Sequence, residues 1–207
     1  MRPHFIPRPE HPTRLYLIQT VEELLSTRPI YEIGSELVLA ASGVSKGSLY
    51  HHFEDFNDLI EVVIVKRFSD YIQGVLDDII REIENGRSRE IARDRVLAIA
   101  ERQATVNTLA FRVERIQIAE WALRGERARS RIAIHQDQIT QQWMDTFNTC
   151  QQKGWTDSTL DARTVGVLIQ AAMMGRVVDD VAAIKMDVKE WVRSIKFLLD
   201  SIFFSHA

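Results

Sequence analysis

Residues 35–53 read SELVLAASGVSKGSLYHHF. Ser35 can cap a short helix that continues to Ser42, and Gly43 can adopt the left-handed backbone conformation that ends such a helix. Ser45 can then cap a second short helix. Two short helices joined by a glycine-containing turn of about three residues are typical of a helix-turn-helix, so the sequence predicts this motif here.

The second helix has the residues that a DNA-reading helix needs. Its first turn must enter the major groove, which requires small or polar side chains there. Lys46 is the cation of the motif and can bind a phosphate or a guanine edge. Leu49 and Phe53 lie one helical turn apart and form an apolar pair that anchors the helix. We therefore predict that the chain binds double-stranded DNA through Ser35, Ser45, Lys46, Gly47, Ser48, Tyr50 and His51.

The neighbouring histidines His51 and His52 could suggest a metal site. Adjacent residues of a helix point about 100° apart, so the two side chains cannot face one ion together. We therefore predict no metal site and no cofactor.

Residues 38–59, VLAASGVSKGSLYHHFEDFNDL, resemble the helix-turn-helix of the TetR family of bacterial transcriptional regulators, most closely between residues 43 and 53. The resemblance implies an all-α fold, in which a three-helix DNA-binding domain precedes a larger helical domain for ligand binding and dimerisation. It also implies that Tyr50 and His52 contact phosphate, and that repression is the commoner mode of regulation.

Three sites depart from the family pattern. Arg28-Pro29 stands where a glycine is usual, Leu39 where an alanine is usual, and Phe56 where a lysine often contacts phosphate. Fewer phosphate contacts imply weaker DNA binding and a shallower dependence on salt.

The distribution of prolines also favours an all-α fold. Four of the five prolines lie within the first twelve residues, so helix breakers are almost absent beyond them. We expect an extended N-terminal arm over residues 1–12, a helix-turn-helix domain over 13–55 and a helical domain over 56–207. Arg2 and Arg8 of the arm are expected to reach the minor groove and compensate for the missing phosphate contact.

Apolar periodicity, caps and helix breakers predict nine helices, the first of them capped by Thr13. They span about residues 13–27, 35–42, 46–52, 56–84, 88–106, 109–124, 128–152, 159–183 and 188–204.

Composition sets broad limits on the function. The formal net charge is −3, so composition alone does not indicate nucleic-acid binding, and the argument for DNA depends on the motif. No stretch approaches the roughly 20 apolar residues of a membrane helix, and no signal peptide is recognisable. Cys150 is the lone cysteine, which fits a reducing compartment. We expect a soluble cytoplasmic protein.

One helix of the larger domain carries polar groups on an apolar face. Between residues 132 and 150 the apolar stripe includes His135 and Gln142. A few polar groups among aromatic ones are the usual lining of a small-molecule pocket, although core packing is the more frequent role of any one such residue. We predict an effector pocket formed by Gln117, Trp121, His135, Gln142, Trp143, Phe147, Met173 and Arg176.

Residues 165–175, VGVLIQAAMMG, are apolar on nearly every face, which a helix tolerates only when it is covered on two sides. The last helix carries a second apolar stripe. Together with their symmetry copies, the two helices would form an isologous four-helix interface, as in the dimers of the family; burial of both inside one monomer is the alternative. The predicted homodimer interface comprises Val165, Leu168, Ala172, Gly175, Trp191, Ile195, Leu198 and Ile202.

These features predict a DNA-binding transcriptional regulator, a ligand-responsive repressor that binds a palindromic operator as a dimer. An enzyme is disfavoured because the sequence has no glycine-rich phosphate loop, no nucleophile elbow and no His-Glu-x-x-His zinc motif. The alternative is a helical interaction or scaffold protein that has lost DNA binding, which the acidic N-terminal domain and Phe56 favour.

Overall fold

The computed structural model describes residues 11–106 and 109–205. Within these ranges the chain forms nine α-helices, a 3₁₀ turn at Ile30–Glu32 and no strand, which confirms the all-α prediction. The helices are α1 (Pro12–Leu25), α2 (Ser35–Ser42), α3 (Lys46–His52), α4 (Phe56–Asn85), α5 (Arg89–Val106), α6 (Leu109–Arg124), α7 (Glu126–Gln152), α8 (Ala162–Asp180) and α9 (Val188–Phe203).

The chain divides into two compact units, Met1–Arg67 and Phe68–Ala207. The predicted boundary between residues 55 and 56 coincides with the start of α4, whereas the two units separate inside that helix. The first turns of α4 belong to the first unit because Leu59 is completely buried and because Lys66 Nζ lies 3.0 Å from Glu22 Oε1 of α1.

The first unit encloses a small apolar core. Its completely buried side chains come from α1, α2, α3 and the start of α4: Leu17, Val21, Val38, Leu49, Leu59, Val63 and Ile64. All four helices therefore turn one apolar stripe inward, as the spacing of their apolar residues requires.

Two helices of the first unit begin differently from the prediction. His11 caps α1, its Nδ1 accepting a hydrogen bond from the Thr13 N–H at 3.2 Å, and Pro12 takes the first helical position, where no N–H is needed. Gly34 holds the cap position of α2 without a side-chain bond, so Ser35 is the first helical residue rather than the cap. The prediction chose hydroxyl side chains, but a ring nitrogen or a bare glycine also fits a cap.

The turn of the helix-turn-helix depends on Gly43. Its φ of 65° lies in the left-handed region, and its N–H donates to the Leu39 carbonyl at 2.9 Å. We expect Gly43→Ala to lower the free energy of unfolding by about 1–2 kcal/mol, because a Cβ is disfavoured in this conformation. Chemical unfolding followed by circular dichroism measures the change.

Gly47→Ala is the matched control for this substitution. Gly47 lies inside α3 with no atom within 4 Å of an added Cβ, so alanine should stabilise the fold by about 0.5–1 kcal/mol. Equal effects of the two substitutions would contradict the conformational explanation.

The second unit is a bundle of the remaining helices, in which α7 packs against α6 and α8 while α5 packs against α9. The contact between α7 and α8 is close at Gly166, where an added Cβ would lie 3.0 Å from the Trp143 Cβ. The aromatic rings of Phe147 and Phe203 are almost completely buried and meet edge to face, with centroids 5.8 Å apart.

The ends of α7 and α8 differ from the predicted ends. α7 begins at Glu126, two residues earlier than predicted. α8 begins at Ala162 instead of residue 159, because Asp161 caps it by accepting from the Thr164 N–H at 2.8 Å. Asp157 holds Thr159 in the preceding turn, accepting from its N–H at 2.8 Å.

In the described part of the chain, every helix is too short or too polar to span a lipid bilayer.

Candidate nucleic-acid interface and ligand cavity

Helix α3 has one buried and one exposed face. Leu49 is completely buried and Phe53, which follows the helix, is 2% exposed, so this pair attaches α3 to the core of the first unit. Ser45, Lys46, Gly47, Tyr50 and His51 are exposed, and Ser48 and His52 are half-buried. The side chains predicted to face DNA from this helix thus share one accessible surface, which we call the α3 surface.

Side-chain hydrogen bonds hold the turn before α3. The Ser45 Oγ accepts from the Ser48 N–H at 3.2 Å, which satisfies one of the free donors at the start of the helix. The Ser42 Oγ accepts from the Val44 N–H, also at 3.2 Å. Ser35 lies at the other end of α2 and is half-buried.

The His52 ring lies beside two other imidazoles. Its centroid is 4.6 Å from that of His11 and 5.1 Å from that of His51. Loss of hydration, followed by repulsion from His11, His51 and Arg14, lowers the pKa of His52. The His52 imidazole is therefore neutral near pH 7.

The described residues contain no group of three or more His, Cys, Asp or Glu side chains placed to hold a metal ion. Arg2 and Arg8, predicted to reach the minor groove, lie outside the described residues.

The second unit contains a cavity of about 70 Å³, which we call the central cavity. Six helices, α4 to α9, contribute to its wall. The wall is mainly apolar and includes Phe68, Ile72, Leu76, Phe111, Trp143 and Leu199. Its polar members are Tyr71, Gln103, Arg115 and Gln170, together with the indole of Trp191. A mainly apolar wall with a few polar groups is the usual composition of a small-molecule site.

Two of the eight residues predicted to bind a ligand, Trp143 and Met173, line the central cavity. Gln142 lines a separate cavity beside Thr146. Gln117, Trp121, His135, Phe147 and Arg176 do not line the central cavity.

The positions of two of these residues have clear physical causes. Phe147 is completely buried in the core of the unit. Arg176 donates a hydrogen bond to the Ala104 carbonyl at 2.9 Å, so its guanidinium caps the end of α5.

Burial lowers the pKa of His135, which therefore stays neutral near pH 7.

The polar residues that do line the cavity were not among the predicted ones: Tyr71, Gln103, Arg115 and Gln170. The sequence contains a signal for Arg115, which follows the cavity residue Phe111 at the i+4 spacing of one helical face. More generally, polar residues on the otherwise apolar stripes of α4, α5 and α6 indicate the polar part of the cavity wall.

The predicted dimer interface needs correction. Val165, Ile195 and Ile202 are buried within a single chain, so they are core residues, and Trp191 lines the central cavity. Leu168 and Gly175 are exposed, and Ala172 and Leu198 are half-buried. In α8 and in α9, the most regular apolar stripe is therefore buried within the monomer.

Other apolar residues stay exposed on α8 and α9. They are Val167, Leu168, Ala171, Gly175, Val178 and Phe197, which we call the α8/α9 outer face. Leu168 is 51% exposed and Phe197 is 73% exposed. The α8 members recur at intervals of three and four residues, so they form one continuous stripe.

No protein-family model and no curated protein sequence matches the chain. Solved structures do match over most of its length. The E. coli protein NemR in its reduced form is 17% identical, with a TM-score of 0.63, over 91% of this chain and 98% of that chain. FadR of Thermus thermophilus, a TetR-family transcriptional repressor in complex with lauroyl-CoA, is also 17% identical, with a TM-score of 0.63, over 94% and 97% of the two chains.

A TetR transcription regulator from Haloarcula marismortui is 13% identical, with a TM-score of 0.62, over 91% of this chain and 97% of that chain. At these identities the likeness establishes the fold. The chain therefore has the fold of TetR-family transcriptional regulators, with a helix-turn-helix unit followed by a larger helical unit.

Proposed function

We propose that the chain is a member of the TetR family, a transcriptional regulator that binds a palindromic operator as a dimer and releases it when a small effector binds. The observation that carries this proposal is the α3 surface. Its first turn presents a serine, a cation and a glycine outward, while Leu49 and Phe53 fix the helix from behind. Such a helix suits insertion into the major groove. The protein would act on DNA in the cytoplasm and would be a binding protein rather than an enzyme.

The α8/α9 outer face supports the proposal of a dimer. A second copy related by a two-fold axis would cover Leu168 and Phe197 with the same surface of its own chain. Dimerisation would also pair two α3 helices, and two such helices separated by about one turn of DNA read the two halves of a palindrome.

The central cavity supports the proposal of effector control. Helix α4 contributes Phe68, Tyr71 and Ile79 to the cavity wall, and the start of the same helix packs in the first unit. An effector can change DNA binding only if it binds the DNA-competent and DNA-incompetent conformations with different affinity. A tilt of α4 is the movement we propose, because this helix is continuous through both units.

The experiment that tests the proposal measures binding of the purified protein to the DNA upstream of its own coding region, by fluorescence anisotropy. Between about 50 and 200 mM salt, log Kd should rise linearly with log salt concentration, as release of counterions requires. The affinity should exceed that for unrelated DNA of the same length by at least about a thousandfold. Equal affinity for both DNAs would instead favour a helical interaction protein that does not regulate its own promoter.

A further inference from the structure

We propose that the central cavity takes an amphipathic anion, whose apolar body packs against the aromatic wall and whose single negative group pairs with the guanidinium of Arg115. The inference rests on the proposed function only in that this ligand would be the effector. Ligand binding itself can be measured without DNA.

Arg115 enters the cavity wall with few partners. Its Nη2 donates to the Gln170 carbonyl oxygen at 3.1 Å, and its guanidinium carbon lies 5.4 Å from the centre of the Phe68 ring. A guanidinium carries five N–H donors. Neither partner carries a formal charge, and no carboxylate pairs with Arg115 among the described residues. The arginine is therefore a cation at an apolar cavity with donors to spare.

The preceding turn of α6 provides a contrast inside the same chain. Arg112 is buried, whereas Arg115 is half-buried. The Arg112 Nη2 donates to the Asp180 Oδ1 at 2.6 Å, and this bond holds the pKa of Asp180 below its usual value. The fold thus supplies an acid for one buried arginine of α6. Arg115 lies one turn away and faces the cavity, and there the fold supplies only the Gln170 carbonyl oxygen and the Phe68 ring.

Arg115 keeps its charge at physiological pH. Burial lowers its pKa to about 10, which still leaves the guanidinium protonated at pH 7. A charge taken out of water is stabilised only when an opposite charge or strong acceptors replace the lost hydration. No aspartate or glutamate stands among the described residues that line the cavity, so an anionic ligand would meet attraction and no repulsion from the wall.

The rest of the wall fits an apolar ligand body. The Phe111 ring lies between those of Phe68 and Tyr71, at centroid distances of 5.6 and 4.4 Å. The Tyr71 hydroxyl donates to the Gln103 Oε1 at 2.5 Å, which occupies the amide oxygen and leaves the amide N–H groups as further donors. A carboxylate accepts such hydrogen bonds and can pair with two guanidinium N–H groups at once.

Isothermal titration calorimetry on the full chain tests this inference. The probes are octanoate and 3-phenylpropanoate, each compared with its own primary amide, and octylammonium as the probe of opposite charge. We expect each acid to bind at least about tenfold more tightly than its amide, and octylammonium not to bind. Each acid and amide pair shares an apolar body, so the difference isolates the charge.

Three variants locate the anion partner. Arg115→Met should remove the preference for the acid, and Arg115→Lys should keep part of it, because lysine retains the charge but not the paired donors. Arg95→Met is the matched control, since Arg95 is exposed on α5 and pairs with Glu82 outside the cavity wall. Circular dichroism verifies that each variant folds. If Arg115→Met does not fold, Arg115→Lys still tests the role of the guanidinium.

The inference is overturned if the acids bind no more tightly than their amides, or if no probe binds at all. It is also overturned if the Arg115 variants keep the full preference for the acid. Failure of the proposed function gives a different result, in which an acid binds through Arg115 but the protein shows no preference for its upstream DNA. The two outcomes come from separate measurements and can be told apart.

Discussion

Lys46→Glu is expected to weaken operator binding by at least about a hundredfold without destabilising the fold. Lys46 is exposed in the first turn of α3, where the proposed DNA-bound pose places it against a phosphate or a guanine edge. Reversal of the charge replaces an attraction with a repulsion. Lys46→Ala removes only the attraction, so it should weaken binding by about tenfold and lower the slope of log Kd against log salt by about one.

Lys189→Glu is the matched control. Lys189 is also exposed in the first turn of a helix, α9, and the substitution changes the net charge by the same amount. Anisotropy titrations of the three variants at several salt concentrations measure the effects. If Lys46→Glu weakens binding no more than Lys189→Glu does, the α3 surface is not the part of the molecule that contacts DNA.

The helix-turn-helix could be predicted from the sequence because its determinants are local. The left-handed Gly43, the Ser45 cap and the buried pair of Leu49 and Phe53 all act within eleven residues. Each has a physical reason that does not depend on the rest of the fold. The incorrect caps of α1 and α2 were small errors of the same local kind, since histidine and glycine replaced the expected hydroxyl groups.

The central cavity could not be predicted in the same way. Apolar periodicity on one helix shows which residues face inward, but a cavity arises where the inward faces of several helices fail to meet. Phe147 and Trp143 belong to the same stripe of α7 and both rings pack against Phe203, yet only Trp143 also lines the cavity. That distinction depends on α4, α5 and α9, which are distant in the sequence.

Half of the residues predicted for the interface are core or cavity residues, for a related reason. The strongest apolar stripes of α8 and α9 contain Val165, Ile195 and Ile202, and the monomer uses them for its own core. The exposed apolar residues are interspersed with polar ones along α9, where Phe197 stands between Ser194 and Ser201 on the exposed side. The buried and the exposed apolar residues can be told apart only from the burial of each residue in the folded monomer.

The double variant Leu168→Glu/Phe197→Glu is expected to convert the proposed dimer into a folded monomer. Both side chains are at least half exposed in one chain, so the substitutions leave the core intact, but in a two-fold interface they would bury four carboxylates without partners. Sedimentation velocity at micromolar concentration should show the wild type as a dimer and the variant as a monomer. Operator affinity should fall by at least about a hundredfold, because a single α3 helix reads half of the palindrome.

Leu123→Glu is the control for this experiment. Leu123 is 79% exposed near the end of α6, outside the α8/α9 outer face, so it presents a similar apolar surface to water. A charge there should leave both the dimer and the operator affinity unchanged. Two results would refute the assignment: a monomeric wild type, which would remove the dimer itself, or a dimer that survives both glutamates. In the second case the chains would associate through another surface, and the separation of the two α3 helices would have to be set there.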